Sequence, residues 1–134
     1  MGEIIYNSEI VDLIYSKSDL LVELIWKKNT NTEGFRTIYS FAVNFATKNK
    51  VQYFLSDMRN EGLVSLDDVK WLTKEVIAKA FDFGIKKIAL VNEDDMIFST
   101  IYAESVKKKL EKLAIHVQIF NDAVSAKSWL LYKN

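Results

Sequence analysis

The chain has 134 residues, the size of one domain (roughly 100–150 residues) and enough to bury a core without covalent staples. It contains no cysteine, which excludes disulfides, thiolate nucleophiles and cysteine-ligated zinc or iron–sulfur sites. The 18 Lys and Arg balance 18 Asp and Glu, so the basic excess usual in nucleic-acid binders is missing and no nucleic-acid partner is expected.

No apolar run approaches the ~20 residues that cross a bilayer, so no integral membrane association is expected. Met1 to Tyr6 lacks the basic and apolar regions of a signal peptide, and a cytoplasmic location is the expectation. There is no proline, and the four glycines (Gly2, Gly34, Gly62 and Gly84) are isolated. With no linker, repeat or low-complexity stretch, a single domain over residues 1–134 follows.

Residues 3–16 read as extended, with Val11, Leu13 and Tyr15 alternating with Asp12 and Ser16. Ser16-Lys17-Ser18-Asp19 is a turn. Residues 20–27 alternate again, with Leu20, Val22, Leu24 and Trp26 on one face and Glu23 and Lys27 on the other. Two such runs joined by a polar turn predict a β-hairpin with one face on the core. Asn29-Thr30-Asn31-Thr32 is rich in residues that cap helix N-termini. A helix follows to about Asn49, with Phe35, Ile38, Tyr39, Ala42, Phe45 and Ala46 at helical spacing.

Val51 to Ser56 reads as a central strand ending at Asp57, and Met58 to Val64 as a loop. Ser65 then caps a helix whose first turn carries Asp67 and Asp68, complementing the helix dipole. That helix runs to about Asp82, with Gly84 as its stop. Its stripe is Val69, Leu72, Val76, Ala80 and Phe83, and Trp71 lies off it. Lys86 to Asn92 is a strand apolar enough to be buried on both faces. A helix over about 95–113 turns Phe98, Ile101, Tyr102, Val106, Leu110 and Leu113 inward. His116 to Phe120 is the last strand, and Asn121 or Asp122 caps a final helix carrying Ala126, Trp129 and Leu130. The predicted fold class is α/β. One mixed sheet, an N-terminal antiparallel hairpin plus parallel strands, carries four helices.

Few residues carry chemistry. His116 is the one histidine, too few for a histidine metal site, and it starts a strand as a structural or surface residue would. Neither Gly-x-Ser-x-Gly, Gly-x-Gly-x-x-Gly nor a P-loop occurs, so the nucleophile elbow and the familiar phosphate cradles are absent. Lys107, Lys108, Lys109 and Lys112 alternate with Glu104 and Glu111 at i, i+4 spacing, the pattern of a solvated, ion-paired helix face. Asp57 ends a strand and Arg59 follows it, where open parallel sheets hold their ligands. Asp57 with Glu93, Asp94 and Asp95 could in principle form a magnesium pocket of the response-regulator kind. The later strand end offers Asn121 and Asp122 but no lysine, so loop-capping acids are the better account and no metal or cofactor is expected. Trp71, off its stripe, is a candidate for a groove or a subunit contact. The candidate ligand- or partner-binding residues are therefore Asp57, Arg59, Ser65 and Trp71.

The order of elements, with Tyr53-Phe54-Leu55-Ser56-Asp57-Met58-Arg59, Val64-Ser65-Leu66-Asp67-Asp68, Trp71-Leu72, Lys86 to Val91 and Ala126-Lys127-Ser128-Trp129-Leu130, resembles the SpoIIAA-like branch of the STAS superfamily. That branch includes small bacterial proteins described as STAS/SEC14-domain-like. The resemblance spans about residues 9–131 and rests mostly on packing and capping residues. It implies a non-enzymatic interaction or ligand-binding module. The SEC14-like comparison implies an apolar small-molecule or lipid pocket between helices and sheet. Members that antagonise anti-sigma factors carry Asp-Ser-Ser-Gly at the start of the helix after the central strand, and a partner kinase phosphorylates the serine. Here the stretch is Val64-Ser65-Leu66-Asp67, without the flanking Asp-Ser and Gly. Asp67 and Asp68 would repel a phosphoryl group that the helix dipole would attract.

The expected function is a non-enzymatic interaction or small-ligand-binding module that self-associates as a homodimer or meets another protein. The alternative is a regulatory switch phosphorylated at Ser65.

Overall fold

Side chains alternate along a strand, so six strands divide the apolar residues of this chain between the two faces of one sheet. The computed structural model describes residues 2–76, 79, 84–92 and 97–132. Its strands are β1 (Glu3–Asn7), β2 (Val11–Ser16), β3 (Leu21–Trp26), β4 (Tyr53–Asp57), β5 (Lys87–Val91) and β6 (His116–Phe120). They lie side by side in chain order. The pairs β1–β2 and β2–β3 are antiparallel, and β3 to β6 are parallel. The helices are α1 (Thr32–Lys48), α2 (Leu66–Trp71, prolonged by a π-helical turn Leu72–Val76), α3 (Ile97–Glu111) and α4 (Ala123–Leu131). The chain is thus α/β, with one mixed sheet and four helices among the described residues.

The parallel strands succeed one another in space as they do in sequence. Crossovers of one hand then place every connecting helix on the same face. Accordingly α1, α2 and α3 share a core with Val22, Leu24, Trp26, Phe54, Ile88 and Leu90. Helix α4 follows the last strand and covers the other face, where Ala126 and Leu130 meet Leu21, Leu55, Ala89 and Val91. Strand β5 contributes to both cores, as its unbroken apolar run predicts. Two charges sit under α4 with partners: Glu23 takes Lys127 at 3.2 Å, and Lys87 donates to the Trp129 carbonyl at 3.0 Å while lying over the indole.

The N-terminal extended run differs from its sequence reading. Residues 3–16 form two strands rather than one, because Ser8 turns the chain: its Oγ accepts from the Ile10 and Val11 amides at 3.1 and 3.0 Å. Asn7 donates to Asp12 across the same turn at 2.8 Å. The expected hairpin is therefore the inner part of a three-stranded antiparallel unit. Leu20 belongs to the turn before β3, with a φ of 53°, and the strand starts one residue later.

Helix caps fall where the sequence put them. Asn31 accepts from the Gly34 amide, Ser65 from the Asp68 amide and Asp122 from the Ser125 amide. In the π-turn, Thr73 Oγ1 bonds back to the Val69 carbonyl at 2.9 Å, one way a helix ladder is widened. The expected helix end near Asp82, the stripe positions Ala80 and Phe83, and the acids Glu93, Asp94 and Asp95 lie outside the described residues, as does the side chain of Phe98.

Candidate functional site

Strands β3 and β4 run parallel and finish together, Ile25 opposite Asp57. Beyond their carboxyl ends the chain makes two departures on the same side of the sheet. After Trp26 it climbs through Asn29 to Thr32 into α1, and after Asp57 it loops through Glu61 to Ser65 into α2. Between these departures lies a cleft of about 310 Å³, with Trp26, Phe35 and Glu61 deep in it and Asn29, Thr30, Asn31, Thr32, Ser65 and Asp68 around it. The carboxyl ends of parallel strands are where ligands of open α/β sheets bind.

The loop that brings Glu61 inward is held by Asn29. Its Nδ2 donates to the Glu61 carbonyl at 2.7 Å and to the Leu63 carbonyl at 3.0 Å. Gly62 between them has a φ of +79°, and a Cβ there would stand 3.1 Å from the Asn29 side chain. Both the left-handed backbone and the close approach favour glycine.

Glu61 is only 2% exposed. Its Oε2 accepts from the Tyr39 hydroxyl at 3.3 Å. That hydroxyl accepts from the Trp26 indole N–H at 3.3 Å and lies 3.3 Å from Ser56 Oγ. The other carboxyl oxygen, Oε1, is buried and has no hydrogen-bond partner. Burial without compensating donors pushes the Glu61 carboxyl up to about 8, against a smaller lowering effect from Tyr39. Burial and the Glu61 charge push the Tyr39 hydroxyl up as well, and Tyr102, which bonds to Tyr39, is raised for the same reasons. At neutral pH Glu61 is therefore a buried, uncharged carboxylic acid, one hydrogen bond short at the bottom of a cleft. A buried polar atom left unpaired costs about 1–3 kcal/mol.

Asp68 is the second carboxyl group of the cleft, and each of its oxygens has a partner. It accepts from Thr32 Oγ1 at 3.0 Å and from Arg36 Nε at 3.0 Å, tying α1 to α2. Arg36 lies 5.2 Å over the Trp71 ring, so its cation is engaged on both sides.

The four residues singled out from sequence do not form one site. Asp57 and Arg59 do come together, in a two-pronged ion pair at 2.9 and 2.6 Å. Strand alternation puts Asp57, like Leu55, on the α4 face, away from the cleft. Ser65 is at the cleft rim, its hydroxyl spent on the Asp68 amide at 3.1 Å. Trp71 packs edge-on against Phe35 at 6.3 Å and beneath Arg36, outside the cleft wall. Sequence reasoning gave Trp26 and Tyr39 to the core, which is correct, and passed over Glu61 as one polar residue of a loop. The only local sign at Glu61 is the glycine after it, which marks a turn but not an inward side chain.

A second cavity lies under the Tyr39, Ser56 and Tyr102 hydroxyls, walled by apolar side chains such as Val43, Leu72 and Leu110. Its volume is about 40 Å³. An engineered apolar cavity that takes up benzene measures about 150 Å³. The space would admit a water or a methyl group and is far smaller than a lipid chain. Among the described residues no cluster of three or more His, Asp or Glu side chains is arranged to hold a metal. No described helix is long and apolar enough to cross a membrane. Compared with models of protein families, with curated proteins and with solved structures, the chain matches none.

Proposed function

We propose that this chain is a non-enzymatic small-ligand-binding module whose ligand occupies the cleft between the start of α1 and the loop after β4. One observation carries the reading: a buried carboxyl with an unpaired oxygen lies at the floor of a roomy cleft, where parallel sheets hold ligands. The non-catalytic half draws on the surroundings. The only histidine, His116, begins β6 at the opposite end of the parallel strands. The Ser65 hydroxyl is engaged as a cap, accepting from the Asp68 amide. The SpoIIAA-like resemblance, with its expectation of a non-enzymatic module, agrees with the non-catalytic half.

The test is a fragment screen read by amide and indole chemical shifts. Ligands should shift the Trp26 indole together with Asn29, Thr30, Asn31 and Gly62. Hits that map consistently elsewhere would remove the cleft from consideration.

A second reading, self-association, is favoured by a different surface. Leu63, Leu66 and Ile101 are 70%, 79% and 62% exposed and border an apolar groove between α2 and α3. Sedimentation of the wild type against Leu66→Glu decides it. A dimer that dissociates on substitution supports it, and a monomer in both cases refutes it.

A further inference from the structure

The wall chemistry of the cleft narrows the class of ligand. Among the described residues no lysine or arginine lines it, and the two titratable side chains that do are both carboxyls, Glu61 and Asp68. Arg36, which reaches the lining residue Asp68, is held by Asp68 and Trp71. The floor is aromatic: Trp26 and Phe35 are nearly parallel, 17° apart with centroids at 6.2 Å. Aromatic faces attract cations, and carboxylates do so more strongly. The amides at the start of α1 would favour an anion, but Asn31 takes the Gly34 amide and Glu33 adds a negative charge in the same turn. An anionic ligand would meet two carboxyls and no side-chain cation.

We propose that the cleft takes an organic amine, its ammonium hydrogen-bonded to Glu61 Oε1 and its apolar or aromatic body against Trp26 and Phe35. This rests on the cleft being a ligand site and adds the chemistry of the ligand. The ammonium supplies the donor that Oε1 lacks and the charge that lets a buried carboxylate ionise. The groups around Glu61 do not compete for that role. Tyr39 from α1 and Tyr102 from α3 stay protonated, Asp68 from α2 is neutralised by Arg36, and β3 and β4 contribute the uncharged Trp26 and Ser56. Binding exchanges a proton: the Glu61 O–H bond breaks, the proton leaves to solvent, and an N–H···O bond forms. Free Glu61 titrates at about 8, so only a small fraction is ionised at pH 6 and half at pH 8. Amine affinity should therefore rise at least about tenfold between those two pH values.

Calorimetry on the whole chain tests this with phenethylamine and tryptamine against the matched alcohols, phenylethanol and tryptophol. Titrations at pH 6 and 8 are run in two buffers of different ionisation heat. The expected result is binding of the amines over the alcohols, close to one proton released per amine at pH 6, and a gain of at least about tenfold on going to pH 8. Glu61→Gln should lose at least tenfold in amine affinity and lose the pH dependence. Should Glu61→Gln fail to fold, the proton count on the wild type decides alone. Amine binding without proton release, or equal affinity of Glu61→Gln, overturns the proposal. So do alcohols that bind in the cleft as well as the amines, though that result leaves the ligand-binding reading intact. If neither class perturbs the cleft at millimolar concentration while other fragments do, the amine assignment alone fails. If no fragment perturbs it, the ligand reading fails with it.

Discussion

Replacing Glu61 by glutamine should stabilise the protein, and by an amount that grows with pH. The carboxyl titrates at its ordinary value of 4.5 in the unfolded chain and at about 8 in the folded one. Below 4.5 both states are protonated and the side chain costs nothing extra. Between 4.5 and about 8 the unfolded state gives up its proton and the folded state does not, so stability falls by about 1.4 kcal/mol per pH unit. The loss reaches about 3 kcal/mol at pH 7 and levels off above pH 8. Glutamine reproduces the shape and the donor of the neutral acid but cannot ionise, so it escapes this loss. Urea unfolding followed by tryptophan fluorescence, at half-unit steps from pH 4.5 to 8.5, gives the difference between variant and wild type. Other titrating groups cancel in that difference. Near-equality at pH 4.5 and an advantage for glutamine of a few kcal/mol at pH 8 are expected. A difference that stays flat across this range would show that Glu61 titrates alike in both states, and the burial argument would be wrong.

Three further substitutions probe how the cleft and sheet are built. Asn29→Ala removes both bonds that hold the Glu61–Leu63 loop and should cost about 1–2 kcal/mol, with faster amide exchange at Glu61 to Leu63. Ser65→Ala deletes the α2 cap and should cost about 1 kcal/mol by chemical denaturation. If Ser65 is a phosphorylation site, intact-mass measurement after incubation with the kinases of its own genome will show the gain on Ser65, and its absence under every condition would end the switch reading. Leu130→Ala, at the centre of the α4 contact, should cost about 2–5 kcal/mol by the same denaturation.

The fold was legible because most elements announce themselves twice. Asn31, Ser65 and Asp122 are capping residues, and each stands just before a helical apolar stripe. β5 is a strand of the parallel kind because Lys87 to Val91 has no polar face. Residues 3–16 failed this test in part. Ser8 breaks the run with a side-chain turn, and Ser8 has no sequence mark that separates it from an ordinary strand serine. The site was far less legible. Glu61 sits 22 residues from Tyr39 and 32 from Asn29, and only the ends of β3 and β4 meeting in register bring the three together. Asp57 looked like a site residue for a sound reason, its place at a strand end. Whether its side chain faced the cleft or α4 depended on strand parity, which the first buried residue of β4 sets.

The two carboxyls of the cleft separate structure from availability. Asp68 is buried in the same cleft, yet its oxygens are matched to Thr32 and Arg36, and removing it would unlink α1 from α2. Glu61 is matched on one oxygen only. The Tyr39 hydroxyl has a single proton to give, and donating it to Oε2 leaves nothing for Oε1. Protonating Glu61 does not close the network either, since the new O–H at Oε1 would itself lack an acceptor. No arrangement of the hydrogens among Trp26, Tyr39, Ser56 and Glu61 satisfies that oxygen from within. A partner for Oε1 has to come from outside these four residues, and this requirement distinguishes Glu61 from every other buried acid whose contacts are described above.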